Sequence, residues 1–175
     1  MNDFLHMRTP KVYARWLTLC ASALLICADQ WIKRLVLLRL GPPHLKTSVI
    51  LRGVLRLRYA ENTGISFSMF GDSRAAMAVI SVLTALVMLA GIAALLFGKI
   101  GGTFPLCGAA LILAGGIGNL VDRMLHGFVV DYFELLFVRF AIFNFADVCI
   151  SCGVVMLAGW VAYQEYRRRK APVNA

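Results

Sequence analysis

The sequence predicts an all-α integral membrane protein with four transmembrane helices and a small extramembrane β-sheet between helices 1 and 2. Three observations carry this prediction. The 175 residues are 60% hydrophobic and only 15% charged, with a mean hydropathy of +0.76, which is too apolar for a soluble domain of this size. The connection between the first two apolar stretches contains a segment with strand periodicity. Four stretches lack any charged side chain, at residues 16–28, 75–98, 100–121 and 148–164.

The two central charge-free stretches reach the roughly 20 residues that a helix needs to cross a bilayer. The first and last are shorter, and they span only if the polar groups that flank them lie at the interface. No small-residue cleavage site follows the first stretch, so we interpret it as a helix and not as a removable signal peptide. We expect one membrane-embedded domain over residues 1–175, with spans at 13–33, 75–98, 103–122 and 146–165 and an exterior β loop at 38–72.

The exterior loop contains the sequence VLRLRY at residues 54–59, in which apolar and basic side chains alternate. Such a period of two is typical of a strand with one apolar face. A Gly-Pro-Pro break at residues 41–43 and Gly53 bound the segment and favour turns there. We therefore expect a small sheet that rests on the membrane surface and turns its apolar face toward lipid or toward the helices.

The net charge of +9 does not indicate nucleic acid binding, because no basic domain with interleaved aromatic residues lies outside the spans. Anionic phospholipid headgroups are the expected partners of these cations. An even number of spans places both termini on one side, and the basic run at residues 167–170 favours the cytoplasm. Counting Lys and Arg does not by itself orient the chain, because eight lie on that side and ten on the other.

The histidine and cysteine residues predict neither a metal site nor a disulfide. The three His residues have no ligand spacing and no HExxH motif is present, so we expect no metal and no cofactor. Cys149 and Cys152 match CxxC, which keeps a membrane disulfide oxidoreductase open as an alternative function. That activity needs a second exterior cysteine pair, which the sequence lacks. The favoured interpretation is that both cysteines are small, polarizable side chains that fill space in the packing of the helix.

Two groups of polar residues lie within the apolar helices. Asp29 and Lys33 are four residues apart at the end of helix 1, and this spacing predicts an ion pair. Gly115, Asn119 and Asp122 share one face of helix 3, where glycine favours close helix packing. An amide facing lipid is costly, so Asn119 is expected to face the bundle, a cavity or a ligand. Asp122 and its neighbour Arg123 are expected to orient or neutralise each other.

Two aspartates bound the stretch VVDYFELLFVRFAIFNFAD at residues 129–147. Asn144 and Asp147 have the spacing of an N-cap and an N3 residue, which predicts the start of helix 4. Asp131 lies among apolar residues, and burial raises the pKa of such a carboxyl. If the two carboxyls share one site, one keeps a proton while the other accepts one from water, which is the chemistry of an aspartic protease. A proton relay or transporter that uses the same carboxylates is the alternative.

The segment ENTGISFS at residues 61–68 is interpreted either as a turn or as a loop in which Asn62 faces a substrate backbone. With Asp29-Gln30 and Lys33, with GNLVDR and GFVVDYF at residues 118–133, and with FNFADVCI at residues 143–150, it completes an ordered set of motifs. The set resembles bacterial lipoprotein signal peptidase, also called signal peptidase II, over residues 15–165. Ile65 and Ser66 depart from the pair of alanines common in that family.

The resemblance implies an aspartyl endopeptidase that removes the signal peptide of a lipid-modified prolipoprotein, N-terminal to a cysteine carrying diacylglycerol. It implies a monomer in the bacterial inner membrane, with cytoplasmic termini and an active site near the outer, periplasmic leaflet. The implied catalytic pair is Asp131 and Asp147. The implied substrate-binding residues are Asn62, Gly115, Asn119, Arg123 and Asn144, with Asp29, Lys33 and Asp122 in supporting roles.

Overall fold

The computed structural model describes residues 12–42, 46–63 and 74–170 of the chain. Four of its helices are long and apolar enough to cross a membrane, which confirms the predicted class of fold. Helix α1 continues seven residues beyond the expected end of the first span, and Lys33, where that span was expected to end, is buried. The helices are α1 (Val12–Leu40), α2 (Arg74–Leu96), α3 (Thr103–His126) and α4 (Phe145–Lys170), and the strands are β1 (Thr47–Leu51), β2 (Leu55–Asn62) and β3 (Val129–Leu135).

The three strands form one antiparallel sheet in the order β1-β2-β3. The hairpin β1-β2 lies in the loop where the sequence predicts it. Strand β3 was not predicted, and it comes from the connection between α3 and α4. Its residues Val129, Val130, Asp131 and Tyr132 are all buried, so the strand shows no alternation between apolar and polar side chains.

The apolar face of the sheet packs on the end of α1. Val36 and Leu40 of α1 form a buried cluster with Val130 and Tyr132 of β3, and Leu57 and Tyr59 of β2 pack against that cluster. This packing confirms that the alternating segment turns its apolar side chains toward the helices.

Charged side chains also pair across the sheet. Arg56 and Arg58 of β2 both pair with Glu134 of β3, with the Arg56 guanidinium hydrogen-bonded to Glu134 through Nε at 2.7 Å. Opposite charges on neighbouring strands stabilise the pairing of β2 with β3.

Helix α3 is the central helix of the bundle, and half of its 24 residues are buried. Gly115 lets the backbone of Ala146 in α4 approach closely, since a side chain at Gly115 would collide with the Ala146 carbonyl oxygen. The helix ends at Gly127, whose φ of 79° is the left-handed conformation that glycine adopts without strain. The chain therefore reverses there and enters β3 two residues later.

Candidate active site

The polar residues gather at one end of the helix bundle, under the sheet. The end of α3 supplies Asn119, the start of α4 supplies Asp147, and the sheet supplies Asn62 and Asp131. The ends of α1 and α3 and the beginning of α4 therefore meet at this point. The first residues of α1 and the last residues of α4 lie toward the opposite end of the bundle.

Asn144 and Asp147 cap helix α4 reciprocally. The Asp147 backbone N–H donates to Asn144 Oδ1 at 2.9 Å, and the Asn144 backbone N–H donates to Asp147 Oδ2 at 3.0 Å. Asn144 precedes the first helical residue, so it is the N-cap and Asp147 is N3, as the sequence predicts. Asp147 therefore lies at the positive end of the α4 helix dipole, where the Asn144 N–H holds one of its carboxylate oxygens.

Asp131 is held by two amide donors. Asn144 Nδ2 donates to Asp131 Oδ1 at 2.6 Å, and Asn62 Nδ2 donates to Asp131 Oδ2 at 2.8 Å. The residue is only 2% exposed. Burial, and to a smaller extent the negative charge of Asp147, raise the pKa of Asp131 to about 6, although the two amides and Lys33 oppose the increase. The two aspartates thus contact the same residue, Asn144, and interact electrostatically.

Asn119 connects the aspartates to the interior of the bundle. Its Nδ2 donates to Asp147 Oδ1 at 2.8 Å, and its Oδ1 accepts from Asn144 Nδ2 at 3.1 Å and from Lys33 Nζ at 2.8 Å. Because Asn144 and Lys33 both donate to Asn119 Oδ1, the group of Asn119 that faces Asp147 must be its NH2. The expectation that this amide faces the bundle is confirmed.

A buried ionic cluster lies beneath Asn119. Lys33 Nζ is 2.9 Å from Asp29 Oδ2 and 3.0 Å from Asp122 Oδ2, and all three side chains are at most 3% exposed. The predicted Asp29–Lys33 ion pair is confirmed.

Asp122 pairs with Lys33 and not with the adjacent Arg123, because successive residues on a helix point in different directions. Asp122 Oδ2 also accepts from the Val130 backbone N–H at 3.0 Å, next to Asp131.

Arg123 and Gly115 lie on opposite sides of Asn119. The Arg123 Nη1 is 3.5 Å from the Asn119 carbonyl oxygen, and its buried Nε has no partner among the described residues. Gly115 packs against Ala146 and Ile150 of α4. Arg123 thus adds positive charge beside the aspartates, whereas the contacts of Gly115 are those of helix packing.

Two residues of the site carry no predicted role. Gln30 Nε2 donates to Asp122 Oδ1 at 2.9 Å and to the Gly118 carbonyl at 3.0 Å, so it ties α1 to α3. The Tyr132 hydroxyl accepts from the Phe145 backbone N–H at 3.1 Å and ties β3 to the start of α4. An amide in an apolar helix is the signal that marks Gln30, whereas nothing in the sequence marks Tyr132.

The five cysteines all lie in the part of the chain that the structure describes. All five cysteines are free there; Cys149 is buried and Cys152 is exposed. No group of three or more His, Cys, Asp and Glu side chains is arranged there to hold a metal ion.

Comparisons with known proteins identify the family. The sequence model described as Signal peptidase (SPase) II matches residues 21–163. The lipoprotein signal peptidase of Streptococcus pneumoniae is 36% identical over 135 residues, which are 77% of this chain and 84% of that protein. The one of Lactiplantibacillus plantarum is 35% identical over 144 residues, which are 81% of this chain and 91% of that protein.

Two solved structures of bacterial membrane enzymes, determined by the in meso method, have the same fold. One superposes with a TM-score of 0.76 at 19% identity and covers 90% of this chain and 94% of its own. The other has a TM-score of 0.73 at 21% identity and covers 83% and 92%. The family match spans most of the sequence and the relatives agree with it, so the chain belongs to the signal peptidase II family, the lipoprotein signal peptidases of bacteria.

Proposed function

We propose that this protease is an aspartyl endopeptidase in which Asp131 and Asp147 are the catalytic residues. The observation that carries the proposal is their shared contact with Asn144. Its side chain donates to Asp131 and its backbone donates to Asp147, so one residue fixes the position of both carboxyls. Two carboxyls held this way do not ionise independently, and together they keep one proton.

The surroundings of the two carboxyls give them different roles. Asp147 accepts from Asn119 and from the Asn144 N–H at the start of α4, so both of its oxygens contact hydrogen-bond donors. Burial raises the pKa of Asp131 to about 6, and we assign the shared proton to Asp131. Asp147 is then the general base and Asp131 the general acid.

The reaction balances with this assignment. Asp147 takes a proton from water as the water oxygen attacks the peptide carbonyl carbon, while Asp131 donates a hydrogen bond to the carbonyl oxygen. When the carbon–nitrogen bond breaks, the proton of Asp131 passes to the leaving nitrogen. The pair is then again singly protonated, with the proton on Asp147, and transfer between the carboxyls restores the starting form.

The substrate in this proposal is a prolipoprotein that is cleaved N-terminal to its diacylglyceryl-modified cysteine. Acyl chains that stay in the bilayer beside the helices hold the scissile bond at a fixed depth, which lowers the entropic cost of alignment. Asn62, Asn119 and Asn144, whose amides contact the two aspartates, are the proposed substrate-binding residues, together with Arg123. Gly115 contributes by keeping α3 close to α4.

The proposed placement is a monomer in the bacterial inner membrane, with cytoplasmic termini and the active site at the periplasmic leaflet. Each of the four spans expected from the sequence falls on one of the four helices. The start of α1 and the end of α4, with its basic residues 167–170, lie away from the aspartates. The orientation itself rests on the resemblance to the family, because Lys and Arg are divided almost evenly between the two sides of the membrane. Phospholipid surrounds the helices, and no cofactor takes part.

The test is incubation of the purified protein with a lipid-modified precursor and measurement of the product masses. The expected products are the free signal peptide and a protein that begins with the modified cysteine. Asp147→Asn should yield neither, whereas Glu165→Gln, which neutralises an exposed carboxylate on the tail of α4, should cleave like the parent. Cleavage at another bond, or cleavage by folded Asp147→Asn at the parent rate, contradicts the proposal.

A further inference from the structure

Two neighbouring segments at the end of the sheet away from Asp131 carry exposed apolar side chains. The first is the tip of the β1-β2 hairpin, and the second is the segment that follows β3. We call these residues the apolar rim: Val49, Ile50, Leu51, Val54, Leu136, Phe137, Val138 and Phe140. Most of them are about half exposed or more, and Phe137 reaches 67%.

The two segments form one surface. The Leu136 backbone N–H donates to the Val54 carbonyl oxygen at 2.9 Å, which joins the hairpin tip to the segment after β3. Leu51 lies opposite Leu55, so it shares the face of the sheet that packs on α1. A soluble surface rarely exposes a continuous apolar patch of this extent, and such patches mark contact with a partner or a membrane.

Each half of the apolar rim contains one arginine. Arg52 lies at the hairpin tip and Arg139 lies between Val138 and Phe140. Residues 46–54 and 135–146 contain no acidic residue. The nearest carboxylate along the chain, Glu134, already pairs with Arg56 and Arg58. The surface is therefore apolar and positively charged, which complements an anionic phospholipid leaflet.

The apolar rim is continuous with the part of the molecule that crosses the membrane. The sheet packs on Val36 and Leu40 at the end of α1, and the segment after β3 leads directly into α4. Both helices are long and apolar enough to span. A sheet that projected into water would leave the rim uncovered, whereas a sheet that lies along the leaflet buries it.

We propose that the apolar rim inserts into the headgroup region of the leaflet at the active-site end, with Arg52 and Arg139 on the phosphates of anionic phospholipids. Arginine can bury its aliphatic part beside acyl chains while its guanidinium reaches the headgroups. Because Asp131 is on the same sheet, this contact fixes the height of one carboxyl relative to the bilayer. The proposal does not depend on the aspartyl mechanism.

The first test uses the full-length protein in lipid nanodiscs, with Phe137→Trp as a fluorescent reporter. The three native tryptophans are common to all samples, so the difference spectrum against the parent isolates residue 137. Lipids brominated near the headgroup end of the acyl chain should quench this emission. Arg169→Trp, at an exposed position on the polar end of α4, is the matched control and should not be quenched.

An unquenched Phe137→Trp would overturn the proposal. A blue-shifted but unquenched emission would show that the apolar rim is covered by a second copy of the chain or by another protein. A red-shifted and unquenched emission would show that the apolar rim is exposed to water. Both results contradict insertion into lipid.

The second test addresses the arginines. Adding phosphatidylglycerol to phosphatidylcholine nanodiscs should increase the quenching of Phe137→Trp, and Arg52→Ala with Arg139→Ala should remove at least half of that increase. Arg167→Ala with Arg168→Ala removes the same charge from the tail of α4 and should leave the increase unchanged. Equal responses of the two double variants would show that no specific phosphate contact exists at the apolar rim.

Discussion

The buried amine of Lys33 neutralises two carboxylates that have no access to water, and replacing it with methionine tests the ionic cluster under the active site. The amine lies 2.9 Å from Asp29, 3.0 Å from Asp122 and 2.8 Å from Asn119. Lys33→Met retains the volume of the side chain but leaves both carboxylates buried without a cation. Breaking a buried ion pair from one side costs about 3–5 kcal/mol of unfolding free energy.

For a chain of this length, the loss corresponds to a decrease of roughly 10 °C in Tm. The assay is thermal unfolding of the purified protein in nanodiscs. Arg34→Met removes an exposed cation from the next position of α1 and should change Tm by no more than about 2 °C. Lys33→Met combined with Asp122→Asn should recover part of the loss, because the second change removes one of the unpaired charges.

Lys33→Met should also lower kcat more than it raises KM. Lys33 is one of two donors to Asn119 Oδ1, and without it only the longer contact from Asn144 holds the amide in its orientation toward Asp147. Misplacement of a catalytic group by about 1 Å costs on the order of a hundredfold in rate. A Lys33→Met protein with the Tm and kcat of the parent would refute the ionic cluster as the support of the site.

Three further predictions concern single residues of the site. Asn144→Ala should abolish cleavage and cost about 1 kcal/mol of stability through the lost N-cap, measured by precursor cleavage and by Tm; an active variant would exclude Asn144 as the common support of the aspartates. Asp131 contributes stability below its ordinary pKa of 3.8 that is lost as the pH rises through about 6. The parent should therefore lose as much as about 3 kcal/mol between pH 4 and 7 relative to Asp131→Asn, and parallel Tm curves would contradict the raised pKa. Gly115→Val should cost roughly 1–3 kcal/mol because the new side chain meets Ala146, whereas Gly159→Ala, with open space around it, should be tolerated in the same unfolding assay.

Much of the fold follows from local properties of the sequence. Charge-free runs indicate the four helices, because a long apolar segment has no other stable environment than lipid. The alternation around Arg56 and Arg58 indicates β2 for the same local reason. Strand β3 could not be predicted from alternation. Side chains on both of its faces are buried, so apolar and polar residues do not alternate along it. The β-branched and aromatic residues at 129–133 are the signal that would have favoured a strand.

In the candidate site, contacts between residues close in sequence were predictable, whereas contacts between distant residues were not. The cap formed by Asn144 and Asp147 was predictable because the two residues are only three positions apart at one helix start. The pairing of Lys33 with Asp122 joins residues 89 positions apart, and the adjacent Arg123 was the more obvious partner from the sequence. Likewise, the contact of Asn62 with Asp131 depends on the register of β2 and β3, which the unrecognised third strand sets.

The most direct test of the central claim is the single-turnover rate of precursor cleavage by Asp131→Asn, by Asp147→Asn and by the double variant, with folding checked by Tm. If the two carboxyls act as one unit around a shared proton, each single variant should be as inactive as the double, because losing either residue removes the whole function. Losses that multiply in the double variant, or a folded single variant that cleaves within tenfold of the parent rate, would contradict a shared catalytic proton.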